Sequence, residues 1–183
     1  MPGLIDKLHR DHINMSELLE LIAGQLSLMQ NNSADVDYPM MRDIARYFMS
    51  FPDTVHHPLE DEIFALLELK RPDLKGELAI VRDDHREIAE LGMEFYRLME
   101  AVCSEHVVAR SAIVSAAENF LARQQGHLNL EESEIFSAAT EALSDDDLAA
   151  YELEHGGKPD PIFATELREG FTRLHDAVVA ARG

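Results

Sequence analysis

The chain has 183 residues, 46% hydrophobic and 28% charged, which is enough to bury one full core and ordinary for a soluble globular domain. Its net charge of -19 repels phosphate and argues against nucleic acid and anionic membranes as partners. A single cysteine, Cys103, excludes an internal disulfide and suits a reducing cytoplasm. No apolar stretch of the signal-peptide kind follows the first residues, and no run is long enough to span a bilayer, so a cytoplasmic protein is expected.

The first predicted helix covers about residues 4–30. Its inward seam reads Leu8, His12, Met15, Leu19, Ile22, Leu26, with alternating spacings of three and four and one histidine written into an apolar stripe. Asn31-Asn32-Ser33-Ala34-Asp35 ends it in a turn. The second segment, about residues 39–70, has the seam Ile44, Phe48, Pro52, His56, Glu60, Ile63, Leu67. Pro52 predicts a kink or break with freed carbonyls near Phe48. Arg71-Pro72-Asp73 closes this segment, and Asp73 is the expected N-cap of the next.

The third segment, about residues 74–103, carries Leu78, Val81, His85, Ile88, Gly92, Phe95, Met99 and Val102 on one face. His85 again occupies a slot that the pattern reserves for an apolar residue, and Gly92 suggests close helix packing, with space for a small ligand as the alternative. The fourth, about residues 108–143, has Ile113, Ala117, Phe120, Gln124, His127, Glu131, Ile135 and Ala138 on its seam, with three consecutive polar positions. Ser144 with Asp147 three residues on resembles a capping box for a short acidic helix. After a Gly/Pro loop, Phe163, Leu167, Phe171, Leu174 and Val178 form a last amphipathic stripe. It is expected to cover one side of the bundle, with homodimer formation as the alternative use.

Four long helices on short turns pack most simply as an all-α, antiparallel up-down-up-down four-helix bundle over residues 1–143, with residues 144–183 as a C-terminal helical extension packed on it. Counted from turns near Ala34, Arg71 and Ser104, His12, His56, Glu60, His85 and His127 match in level to about four residues, or about 6 Å at the helical rise. His56 with Glu60, and His127 with Glu131, stand four apart on one helix face, so each pair points the same way. One core histidine is usually a hydrogen-bonded structural residue. Four imidazoles and two carboxylates at one buried level need a partner for their polarity, and cations supply it. Six such ligands are too many for one tetrahedral zinc and fit two metals, with iron suited to mixed imidazole and carboxylate donors. Zinc or manganese would fit where the cell supplies it. Glu132, one position further on, points about 100° away from Glu131, and Gln124 is a candidate hydrogen-bond partner one turn before His127. His57, His106, His155 and His175 belong to no seam and are expected to face solvent; Tyr47 and Tyr96 are placed beside the centre, and Cys103 is read as an apolar filler.

Leu8-His9-Arg10-Asp11-His12, His56-His57-Pro58-Leu59-Glu60-Asp61, Asp84-His85 and His127-Leu128-Asn129-Leu130-Glu131-Glu132, in this order, resemble the successive motifs of the bacterial hemerythrin-like (HHE cation-binding) proteins over about residues 4–143. Asp160-Pro161-Ile162-Phe163 resembles an extension found in one bacterial branch of that family. The resemblance implies a non-haem di-iron centre with His12, His56, Glu60, His85, His127 and Glu131 on the ligand positions. One departure stands out. Oxygen-carrying hemerythrins have a second histidine four residues after the third-helix one, and here that position is Ala89, which leaves one metal short of a ligand and more open. His9 could fill in, though an exposed histidine is the expectation. The function expected is binding of dioxygen, nitric oxide or a related small ligand for sensing, storage or delivery. The alternatives are a di-iron enzyme acting on peroxide or oxygen, an iron donor for iron-sulfur cluster repair, and a helical interaction protein without metal.

Overall fold

Helix α1 (Leu4–Gln30) forms because its apolar stripe buries Leu4, Leu8, Met15, Leu19, Ile22, Leu26 and Met29 along one face. Asp6 accepts a hydrogen bond from the Gly3 amide at its start. At its end Asn32 adopts the left-handed conformation, and the Ser33 amide reaches back to the Leu28 carbonyl, so the last turn is closed without a glycine. The computed structural model describes residues 3–155, 158–163 and 170–182. Among these, all regular structure is helical.

Asp37 caps α2 (Tyr38–Phe51) by accepting from the Met40 amide. At Pro52 the chain does not break. It widens into a π-helical turn, Pro52–His56, whose His57 amide donates to the Pro52 carbonyl, and then continues as α3 (His57–Lys70). The Ser50 hydroxyl donates to the Tyr47 carbonyl and the Thr54 hydroxyl to the Ser50 carbonyl beside this turn. After a 3₁₀ turn at Pro72–Leu74 comes α4 (Lys75–Cys103). Asp73 is not its cap: Asp73 pairs with Arg71 at 2.7 Å, and Leu74 occupies the N-cap position without a side-chain bond.

Helix α5 (Arg110–Leu130) passes into a second π-helical turn, Glu131–Ile135, and ends as α6 (Phe136–Ala142). The capping box of α7 (Asp145–His155) forms as expected, with Ser144 and Asp147 exchanging backbone-to-side-chain hydrogen bonds. Of the last apolar stripe, Leu174 and Val178 are buried on α8 (Thr172–Ala181), which packs on α2; Phe163 lies in a turn before the helix, and Leu167 lies outside the described residues. Asp160 ties this extension to the bundle by accepting a 2.6 Å hydrogen bond from the buried Tyr47 hydroxyl.

α1 packs against α2 and α5, and α4 against α2, α3 and α5. At Gly92 an added Cβ would lie 3.4 Å from the Phe120 ring, an ordinary van der Waals contact. The core is split. One apolar cluster gathers Met15, Ile44, Phe48, Ile88, Phe95 and Phe120, and the other Leu8, Ile63, Phe64, Val81 and Ile135. On each long helical segment a polar position separates the two clusters, and these polar positions form the site.

Candidate metal centre

Glu60 lies at the middle of the polar layer, fully buried. Its Oε1 is 3.0 Å from His56 Nε2 and 3.2 Å from His12 Nε2, and its Oε2 is 3.6 Å from His85 Nε2. Glu131, equally buried, has Oε2 at 3.2 Å from His127 Nε2 and 3.4 Å from His12 Nε2, with Oε1 at 3.7 Å from His85 Nε2. The structure therefore brings all six expected side chains together, from α1, the first π turn, α3, α4, α5 and the second π turn. Each π turn adjoins one histidine-glutamate pair: His56 closes the first, and Glu131 opens the second. Wider turns of this kind recur at functional sites. The second has no proline to announce it.

His57 corrects the sequence reading. Expected to face solvent, it is only 4% exposed. Its ring stacks on His85, with centroids 4.3 Å apart, and meets His127 edge-on. His57, Glu60, His85 and His127 each offer a donor atom within 4.8 Å of the others, and His12, His56 and Glu60 form a second such group. Glu60 belongs to both. His57 thus adds an imidazole to the group that holds His85 and His127. The signal for it was present as the second residue of a His-His pair, but a regular 100° step per residue turned it outward.

The outer ring nitrogens meet carboxylates. His12 Nδ1 lies 2.8 Å from Glu132, His56 Nδ1 3.2 Å from Asp11, His85 Nδ1 3.1 Å from Asp61 and His57 Nδ1 3.5 Å from Asp53. Such partners fix the tautomer and aim Nε2 inward on His12, His56 and His85. Gln124 does not play this part for His127: its side-chain amide donates to Met15 Sδ at 3.9 Å. His9 is exposed and bonded to Glu132 rather than to the centre. Tyr96 donates to Glu100. His106 is exposed, His175 half-buried beside Asp176, and the His155 side chain lies outside the described residues.

Burial works against charge on His12 and His85, but Glu132 and Glu60 overcome it at His12, and Asp61, Glu131 and Glu60 at His85; the imidazoles are pushed up to about 10 and about 11. Burial pushes His57 down to about 4 and His127 well below its ordinary value. Burial and then the Glu60 charge raise Glu131 to about 7, while the His56 charge and the neighbouring imidazole hydrogen bonds hold Glu60 down despite its burial. A histidine whose folded pKa is raised stabilises fully below its unfolded value near 6.5 and loses that contribution as pH rises through the folded value. Stability from His12 and His85 is therefore lost between pH 6.5 and about 10–11. His57 acts in the opposite direction, lowering stability as pH falls from 6.5 toward 4. The metal-free protein should be most stable near neutrality and lose stability as the pH rises toward 10. Thermal melts of chelated protein from pH 5 to 10 test this; a melting temperature that climbs steadily to pH 10 contradicts it.

Glu60 Oε2, His85 Nε2, His57 Nε2, His127 Nε2 and both Glu131 oxygens are buried without a hydrogen-bond partner. Leaving so many polar atoms unsatisfied in one place costs free energy that a cation would recover, because it accepts lone pairs that no donor reaches. The donor set fits a metal. A helical bundle crossed by a buried layer of imidazoles and carboxylates defines a metal-binding bundle protein. The Hemerythrin HHE cation binding domain matches residues 3–139, and the chain belongs to that family. No curated protein and no solved structure gives a match. Among the described residues, no helix is long and apolar enough to cross a membrane.

Proposed function

We propose that the cluster holds two iron ions, bridged by Glu60 and Glu131, and binds dioxygen, nitric oxide or a related small ligand for sensing, storage or delivery. The single observation that carries this reading is the position of Glu60 between two groups of donors, one oxygen toward His12 and His56 and the other toward His85. His57, His85 and His127 would hold one ion, and His12 and His56 the other, with fewer imidazoles on the second and more room there for a small ligand. Iron there would supply reversible binding of a small diatomic ligand. The chain's own part is to aim the imidazoles through Asp11, Asp61 and Glu132, to exclude bulk water with the two apolar clusters, and to keep Glu60 ionised.

In this reading the helices run up-down-up-down, residues 1–143 form the bundle, and residues 144–183 cover it, working in a bacterial cytoplasm. Metal analysis with optical spectra under argon and then air tests the reading. Two irons per chain and a visible band that appears in air and disappears under argon are expected. Rapid consumption of added peroxide would instead favour an enzyme, and no stoichiometric metal would favour an interaction protein.

A further inference from the structure

A cleft of about 380 Å³ opens on the surface between α1 and α6, lined among others by Asp6, His9, Glu132, Phe136, Thr140 and Glu141. Two of these lining residues touch His12, which is itself 3% exposed: Phe136 stacks on its ring at 4.8 Å, and Glu132 bonds its Nδ1 at 2.8 Å. The other oxygen of Glu132 bonds the exposed His9 at 2.8 Å. Across the His12 ring, Nε2 lies 3.4 Å from Glu131 Oε2, a buried atom with no hydrogen-bond partner. The second π turn thus places two consecutive glutamates on the two sides of one imidazole, Glu132 toward solvent and Glu131 toward the unpartnered atoms of the centre. The other outer carboxylates do not share this arrangement: the Asp11 oxygen that faces His56 is also held by Lys7, and Asp61 faces His85 alone among the imidazoles.

We propose that this cleft is where divalent cations enter the bundle, with His9 and Glu132 taking the ion from solvent and passing it across His12 to Glu131 and Glu60. Asp6, Glu132 and Glu141 give the cleft a negative lining that concentrates cations at its floor. Carboxylate and imidazole are the donors that a hydrated divalent ion exchanges water for, and Glu132 can turn from His12 to the ion without leaving the cleft. A swing of the His12 ring along the Phe136 face then exposes the unpartnered Glu131 oxygen. Each step exchanges ligands only; no electron moves.

The proposal rests on the metal-binding reading above and is separable from it. Metal-free full-length chain is mixed with cobalt(II), and the rise of the visible ligand-field band is followed by stopped flow, with final stoichiometry read at equilibrium. His9→Ala leaves the contacts of His12 intact, and Glu141→Lys reverses the charge of the cleft rim. Loading is expected to slow by about tenfold in His9→Ala and by a few-fold in Glu141→Lys, with unchanged final stoichiometry. Wild-type loading rates in both, or slowing that appears only together with lost stoichiometry, would overturn the route while leaving the centre standing. A wild-type chain that takes up no cobalt at equilibrium would overturn both.

Discussion

Glu60→Ala is expected to deprive the protein of both cations, whereas His57→Ala weakens one. Glu60 faces three imidazoles with its two oxygens and belongs to both donor groups, so on the two-ion proposal its loss would open both coordination shells at once. The fall in affinity should exceed the roughly 10–100-fold that loss of an orienting partner costs. Glu131→Gln should lower metal content too, yet the two glutamates should part company in the metal-free protein. Glu60 there is an anion facing imidazoles that its charge helps to hold protonated, and Glu60→Gln leaves these buried cations with their outer carboxylates alone, which is expected to lower the melting temperature. Glu131 has two unpartnered oxygens and is repelled by Glu60, so the metal-free Glu131→Gln chain should melt at or above the wild-type temperature. Metal analysis beside thermal melts of chelated protein reads both effects. Two irons retained in Glu60→Ala, or equal destabilisation by Glu60→Gln and Glu131→Gln, would show that the bridge is misassigned.

Removing the metal should be the largest single loss of stability the protein can suffer without a change of sequence. Ions that bind only the folded chain stabilise it, by about 4 kcal/mol each at a thousandfold excess over the dissociation constant. The donors come from α1, the first π turn, α3, α4, α5 and the second π turn, so bound ions would join segments far apart along the chain. For a chain of this length each kcal/mol moves the melting temperature by about 2–4 °C, so two sites imply a drop of more than about 15 °C on chelation. Proton release on reloading should accompany recovery, since His12 and His85 are held protonated in the empty cluster. A chelated protein that melts with the holoprotein would contradict this.

The seams of the four long segments were legible because a period of 3.6 governs burial along an unbroken helix. Leu8, Met15, Ile63, Val81, Ile88, Phe95 and Phe120 all stand where the period puts them. The common level of His12, His56, Glu60, His85 and His127 followed from counting residues to shared turns, and Glu131 from its four-residue spacing after His127. His57 was misplaced because the period does not hold at Pro52–His56, where a residue added to the turn changes which neighbours face inward. The same cause hid the part played by Glu132. Sequence spacing set it off the seam, and the structure puts it on the far nitrogen of His12, a contact 120 residues distant that no local pattern encodes. The docking of Asp160 on Tyr47 was unreadable for a like reason, since a loop carboxylate carries no periodicity.

Anomalous diffraction at the iron edge from crystals of the reconstituted protein addresses the buried layer directly. Two peaks roughly 3.5–4 Å apart are predicted, with Glu60 and Glu131 between them, one beside His12 and His56 and the other beside His57, His85 and His127. A single peak, or peaks away from these side chains, would contradict the two-cation centre.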